Sequence, residues 1–175
     1  YLLTGSATPT AKPSHSGTGR IAPVEMLPMS LAESRDSTAE VSLARLFDGA
    51  ADIEGFSPCD VERMAFLVCR GGWPKAVKTR SDDAALDMAF DYLSAIADED
   101  ISRVDGTTRN AQYARLIMRE YARCSSTQAA QSTMLKDIKA RDVDLSKDTV
   151  NSYLAALRRL YVIKEVSAWT PSLHA

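Results

Sequence analysis

The sequence predicts a mainly α protein with a few short strands, and three observations predict it. Apolar residues recur at helical spacing from Val41 to Leu160. Helix-start signals stand before several of these runs, at Ser57-Pro58-Cys59-Asp60, Ser81, Asn110 and Ser146. The β-prone runs are short and confined to residues 2–4, 21–27 and 162–166.

Residues 2–6 read as a short buried strand running into Gly5. Residues 7–19 are rich in Ser, Thr, Pro and Gly and carry no periodicity, which predicts an exposed, mobile loop. The loose alternation that follows reads as a second strand, ended by Pro28. Val41, Leu43, Leu46 and Phe47 then make a short helix that stops at Gly49. In the next helix Ser57 can cap, Pro58 fits the first turn, and Asp60 can reach back to a free backbone N–H. Val61, Met64, Ala65 and Val68 give it an apolar face, and Gly71-Gly72 ends it.

A long helix is expected from Ser81, with Leu86, Ala89, Phe90, Leu93, Ile96 and Ala97 at helical spacing. Asp82, Asp83 and Asp87 lie near its positive end, where carboxylates are favourable. Another helix starts at Asn110, with Tyr113, Leu116, Ile117 and Tyr121 on one face. Leu135 and Ile138 mark a short helix from about Ser132, and Arg141-Asp142-Val143-Asp144 breaks it. Ser146 then caps a longer helix lined by Val150, Leu154, Leu157 and Leu160, and Tyr161-Val162-Ile163 leaves it as a β-prone run. Short helix, turn, capped longer helix and strand is the order of a winged helix-turn-helix.

The bulk numbers exclude several classes. The 175 residues suffice to bury a core, and 45% hydrophobic with 25% charged residues is ordinary for a globular protein. A formal net charge of −2 gives no global field for nucleic acid, so any such role needs a local patch. Three scattered cysteines (Cys59, Cys69, Cys124) and two histidines form neither a zinc spacing nor a disulfide framework, which fits a reducing, cytoplasmic setting. No apolar run has the length of a membrane span and no signal peptide is visible, so no membrane partner is expected. Tyr1-Leu2-Leu3-Thr4 opens the chain as an apolar strand with no initiator Met, and reads as a cut through a domain. The segment from Trp169 to Ala175 reads as a second cut.

Several segments coincide in order: Leu3-Thr4-Gly5-Ser6; Gly19-Arg20-Ile21; Leu27-Pro28-Met29-Ser30-Leu31 with Glu33; Gly71-Gly72-Trp73-Pro74; Tyr92-Leu93 leading to Asp100-Ile101; and Leu145 to Val150 with Tyr153-Leu154. Together these resemble a bacterial and archaeal family of AAA-like P-loop ATPases that carry a C-terminal helical domain of unknown function. The resemblance covers nearly the whole chain. It implies remnant strands of an α/β ATPase core in residues 1–34, a helical region in 35–130, and a winged helix-turn-helix-like region in 131–175. The sequence contains no G-x-x-x-x-G-K-[ST] and no acidic strand for magnesium. The resemblance places both in an upstream nucleotide-binding domain of the same protein. ATP and magnesium are then cofactors of the full-length protein, and none is expected to bind this piece tightly. Enzymatically, the whole protein would be an ATPase and the piece alone inactive.

Within that resemblance Thr4 and Ser6 stand where a polar sensor meets the nucleotide, against the plain reading of a strand end and a turn. Arg20 would neutralise charge on the transferring phosphoryl group, against the commoner surface arginine. His15-Ser16-Gly17-Thr18-Gly19 has the wrong spacing for a phosphate cradle and reads as a loop. Gly71-Gly72-Trp73-Pro74 reads as a helix stop with a buried aromatic anchor. Glu25, Glu33 and the Asp98-Glu99-Asp100 run have no catalytic partner, and the run reads as a solvated helix face. In the helix-turn-helix, Lys136, Lys139, Arg141, Lys147, Arg158, Arg159 and Lys164 suit phosphates. Ser146, Lys147, Thr149, Asn151 and Ser152 suit base edges. Asp137, Asp142, Asp144 and Asp148 weaken that field, and winged helices also dock proteins. Three readings therefore stand: regulatory part of an ATPase, DNA-binding regulator, and non-enzymatic protein-interaction module.

Overall fold

A computed structural model describes residues 24, 26–49, 54–127 and 131–166. The described residues are mainly helical and contain no strand. The expected strand at 2–4 and the loop at 7–19 lie outside them, as do the last residues from Ser167 onward. Val24, Met26 and Leu27 of the second expected strand are described and are not in a strand. Residues 162–166 are not a strand either. Val162 is instead consumed in ending the preceding helix, as detailed below, and no described strand offers it an edge.

The chain divides into two compact units, with the division between Leu93 and Ser94. In the first, the turn at Ser30 is a capping box. Ser30 N–H donates to Glu33 Oε2 at 2.8 Å and Glu33 N–H to Ser30 Oγ at 3.3 Å. Asp36 closes this turn against α2 (Val61–Arg70), accepting from Arg70 Nη2 at 2.8 Å, Arg63 Nη2 at 3.2 Å and Ser34 Oγ at 2.7 Å. Burial pushes the Asp36 carboxyl up, but these donors outweigh it and hold the group below the usual carboxylate range.

Before α2 comes α1 (Leu43–Phe47), which ends at Gly49 as its sequence predicts. The start of α2 lies later than Ser57. Asp60 is the cap and accepts from Arg63 N–H at 2.7 Å, while Ser57 Oγ accepts only from Cys59 N–H. Gly71, at φ +70°, ends α2. Gly72 approaches the chain so closely that a Cβ there would lie 2.2 Å from the Met29 carbonyl oxygen. Pro74 opens α3 (Pro74–Lys78). Trp73 is not the buried anchor expected. It stays half-exposed and tilts against Tyr92 of α4 (Asp82–Ala95), ring centroids 4.8 Å apart.

The apolar face expected of α2 is real as a pattern but is not core. Val61 is 85% and Val68 74% exposed, Met64 is also exposed, and Leu67 is the apolar side chain of the helix that is buried. In α4, Ala85 is buried and Phe90 exposed, so the burying face is rotated from the expected one.

The second unit holds the larger core. The helix of α4 runs on through a π-helical turn (Ile96–Asp100) into α5 (Ile101–Arg103). Three further helices follow: α6 (Ala111–Arg123), α7 (Gln131–Lys139) and α8 (Lys147–Arg159). Asn110 caps α6 by accepting from Gln112 and Tyr113 N–H, and Ser146 caps α8 by accepting from Thr149 N–H at 3.0 Å. Ile101, Ile117, Ile138, Val150 and Leu157 are fully buried in one cluster, with Met134, Tyr153 and Leu154 beside them. Leu135, Leu145, Val143 and Val162 pack on its margin. Burying each such side chain stabilises the fold by about 1.5–3 kcal/mol.

At the end of α8 the Leu157 carbonyl accepts from Val162 N–H at 3.0 Å and the Arg158 carbonyl from Tyr161 N–H at 3.0 Å, with Tyr161 at φ +58°. This is a Schellman ending, completed by Val162 against the core.

Candidate functional site

The helix-turn-helix candidate is positioned by two charged nodes. The first is Arg109, whose side chain is 4% exposed. It grips Asp105 bidentately at 2.7 and 2.8 Å, donates to the Ile101 carbonyl at 2.7 Å, and reaches Ser152 Oγ on α8 at 3.1 Å. Its guanidinium also lies 5.8 Å from the Tyr153 ring centroid, and Tyr153 Oη accepts from Asn110 N–H at 2.8 Å. The Arg109 hydrogen bonds hold the Asp105 carboxyl far below the usual range, against the opposing effect of burial, with the Thr107 N–H adding to it. The node fixes α8 against the segment that precedes α6.

The second node is Glu120 on α6, fully buried. Arg141, in the turn between α7 and α8, donates to Glu120 Oε1 at 2.8 Å, and Arg123 donates to Oε2 at 3.2 Å. A buried carboxylate with two guanidinium donors anchors the turn.

These nodes decide the placement of the candidate residues. Ser146 and Thr149 are spent on capping α8, their hydroxyls 2.9 Å apart. Asn151 accepts from the Gln131 side-chain amide, tying α8 to α7. Ser152 is held by Arg109, and Arg158 is ion-paired with Glu165. Of the five DNA candidates in the predicted recognition helix, Lys147 is exposed and makes no bond among the described residues. Arg141 and Arg159, expected to meet phosphates, face Glu120 and Asp105 instead. Lys136 and Lys139 stay exposed. The nucleotide-sensing candidates Thr4, Ser6 and Arg20 lie outside the described residues.

The acidic run is at the surface but paired. Arg115 forks onto Asp98 at 2.9 and 2.7 Å, and Arg103 meets Glu99 at 2.7 Å. No group of three His, Cys, Asp or Glu side chains among the described residues is placed to hold a metal. No described helix is long and apolar enough to cross a membrane.

Sequence reasoning missed Arg109 and Glu120 altogether. Each is one charged residue among many, and only the fold reveals its partners.

A protein-family model described as a domain of unknown function (DUF8612) matches residues 61–175. Neither the comparison with curated proteins nor that with solved structures gives a match.

Proposed function

The chain belongs to this family of unknown function, and, on the resemblance of its sequence segments and not on that match, we propose that it is the C-terminal, regulatory part of an AAA-like ATPase, working in the cytoplasm. One contact carries the reading. The segments Leu27-Pro28-Met29-Ser30-Leu31 and Gly71-Gly72-Trp73-Pro74 are two of those that resemble the ATPase family, and they are far apart in sequence. Met29 N–H donates to the Gly72 carbonyl at 2.8 Å, and the approach leaves no room for a Cβ at Gly72. The motif residues therefore have a shared physical reason to be what they are. The exposed apolar row Val61, Met64 and Val68 is also suited to docking a nucleotide-binding domain of the same protein.

In this proposal ATP and magnesium are held by that P-loop domain, residues 2–4 would add to its sheet, and Thr4, Ser6 and Arg20 would face the nucleotide. Arginine charge at such a site matters most in the transition state. The test is ATP binding and turnover by the full-length protein. Arg20→Ala should slow turnover by about tenfold or more while changing ATP affinity by less than about threefold. A full-length protein that neither binds nor hydrolyses ATP would sink the proposal, and unchanged turnover would return Arg20 to a structural role.

A second reading, a winged-helix DNA-binding regulator, has its own support. Helices α6, α7 and α8 share one core, α8 is capped at Ser146, and Lys147 in its first turn is exposed, with no pairing partner among the described residues. Binding would be weak, because the other basic residues nearby are largely paired within the fold. Its affinity for duplex DNA should fall steeply with salt and fall further in Lys147→Gln. Salt-independent binding, or binding indifferent to that change, would favour a protein-docking module instead.

A further inference from the structure

The first unit carries an apolar knob and an apolar crevice that do not meet. The knob is α1, none of whose residues is buried. Phe47 is 89% and Leu43 72% exposed, and at a spacing of four residues they share one helix face. The helix stands on a narrow base, because a Cβ on Gly55, which follows it, would lie 3.0 Å from Cγ2 of Val41, which precedes it. Arg45, at the centre of α1, donates to the Glu40 carbonyl at 3.4 Å. The crevice, of about 320 Å³, lies beside α2. That volume is at the low end for small-molecule sites and suits a large side chain better than a cofactor. Its lining includes Leu31, Met64 and Val68, all of which keep apolar surface exposed, and Gly71 and Gly72, which add no side chain. Ser30 also lines it and holds Glu33 there, its N–H and Oγ donating to Glu33 Oε2 at 2.8 and 2.9 Å. The ion pairs among this unit's described residues join Arg63 and Arg70 to Asp36 and Asp82, and leave both Arg45 and Glu33 out.

We propose that a second copy of this chain fills the crevice, with Phe47 and Leu43 of its α1 against Leu31, Met64 and Val68, and its Arg45 against Glu33. Knob and crevice belong to one chain, so the exchange is reciprocal. Each copy gives one α1 and receives another about a two-fold axis, and the assembly closes at two. Charge gives the docking its register, because a cation and a carboxylate that lack partners in the single chain meet across the contact. Area sets its strength. Phe47 brings about 150–250 Å². With a few aliphatic side chains added, each copy stays below the roughly 800 Å² per partner of a standard interface. The dimer is therefore weak and reversible. Met64 and Val68 also belong to the row suited to the nucleotide-binding domain. On that reading the dimer and the docked domain exclude each other, and self-association is the off state; the dimer itself does not rest on it.

The experiment is sedimentation equilibrium of the full chain between about 1 μM and 1 mM, where the wild type should pass from monomer to dimer. Phe47→Ser and Val68→Asp should each weaken association by at least about tenfold. Both positions are exposed, so helical circular dichroism should be unchanged in either variant. An equal mixture of the two variants should associate more tightly than either alone, because it restores one intact knob with one intact crevice. Glu33→Gln keeps the capping box and removes the charge, and should weaken wild-type association about threefold. In Arg45→Glu the same change should instead strengthen association, because it removes a repulsion. A monomer at every concentration, a dimer indifferent to Phe47→Ser, a mixture no tighter than its components, or a Glu33→Gln effect of one sign in both backgrounds would each overturn the proposal. None of these arms uses ATP, so a chain that dimerises in a protein without turnover sinks the ATPase reading alone.

Discussion

Arg109→Leu removes a nearly buried guanidinium that serves four acceptors. Its loss leaves the Asp105 carboxylate with the Thr107 N–H at 3.0 Å and Arg159 at 3.9 Å, and it leaves the Ile101 carbonyl and Ser152 without their donor. Breaking a buried ion pair from one side costs about 3–5 kcal/mol. Asp105 is 25% exposed, so water recovers part of that loss and the expected destabilisation is about 2–3 kcal/mol. Arg109→Lys keeps the charge but not the fork, and should recover less than half of it. The assay is urea unfolding read from the amide resonances of Ile117 and Leu157, both fully buried in this unit. The pH dependence has a definite sign. The folded Asp105 carboxyl is depressed, so its stabilisation is complete above the unfolded value of about 3.9 and fades as pH falls below it. The gap between wild type and Arg109→Leu should therefore be widest at neutral pH and narrow toward about pH 2–3. A loss below about 1 kcal/mol at neutral pH, or a gap that does not change with pH, would refute the reasoning.

Arg141→Ala should destabilise the second unit by about 2 kcal/mol or more, because it strips the closer donor from the fully buried Glu120 carboxylate. Glu120→Leu should be milder, since its partners reach water; the reverse order in chemical unfolding would show that the buried charge is not the controlling group. Leu154→Ala should cost about 2–5 kcal/mol, and a change below about half a kcal/mol would contradict its place in the core. Gly72→Ala should destabilise the first unit by about 1–3 kcal/mol through collision with the Met29 carbonyl, read as faster amide exchange in α2. Asp36→Asn should flatten the acid-induced loss of stability in that same unit below about pH 4, because the ionised form is the one its donors favour.

Helix positions were legible where a polar cap and an apolar period agreed. Ser81, Asn110 and Ser146 each stand at the start of the helix they announced, and each accepts a backbone N–H there. At Ser57 the expected cap was displaced: Asp60, read as reaching back to a free N–H, is itself the cap, and the helix begins later. Faces were less legible than positions. A period of 3.6 gives the direction of an apolar stripe but not what covers it, so Val61 and Val68 satisfied the pattern and remain exposed. In α6 the buried set is Ala114, Ile117, Met118 and Glu120, and a carboxylate at a core position carries no hydrophobic signal. Arg141 was illegible because its partner Glu120 is distant in sequence, and Arg109 because its near neighbour Asp105 does not announce the reach to Ser152 on α8. The strand expected at 162–166 failed because β-propensity reflects a surface to pack on more than a backbone preference, and Val162 found the helical core first.

The endings of α7 and α8 have a consequence for how the second unit comes apart. Neither stops at a glycine. Asp142 and Tyr161 take up the left-handed conformation, at φ +58° each, which costs an L-residue about 1–2 kcal/mol. Val143 and Val162 follow them and press against the shared core. For α8 the stop signal is therefore non-local, written in the packing of Val162, whereas the polar run at Arg141-Asp142 also marks the end of α7 in the chain itself. Released from the core, α8 loses the contact that tells it where to end, and it is free to fray or run on. Loss of the core and loss of the helix boundaries are then one event, which makes the unit a single cooperative block whose parts do not melt in turn.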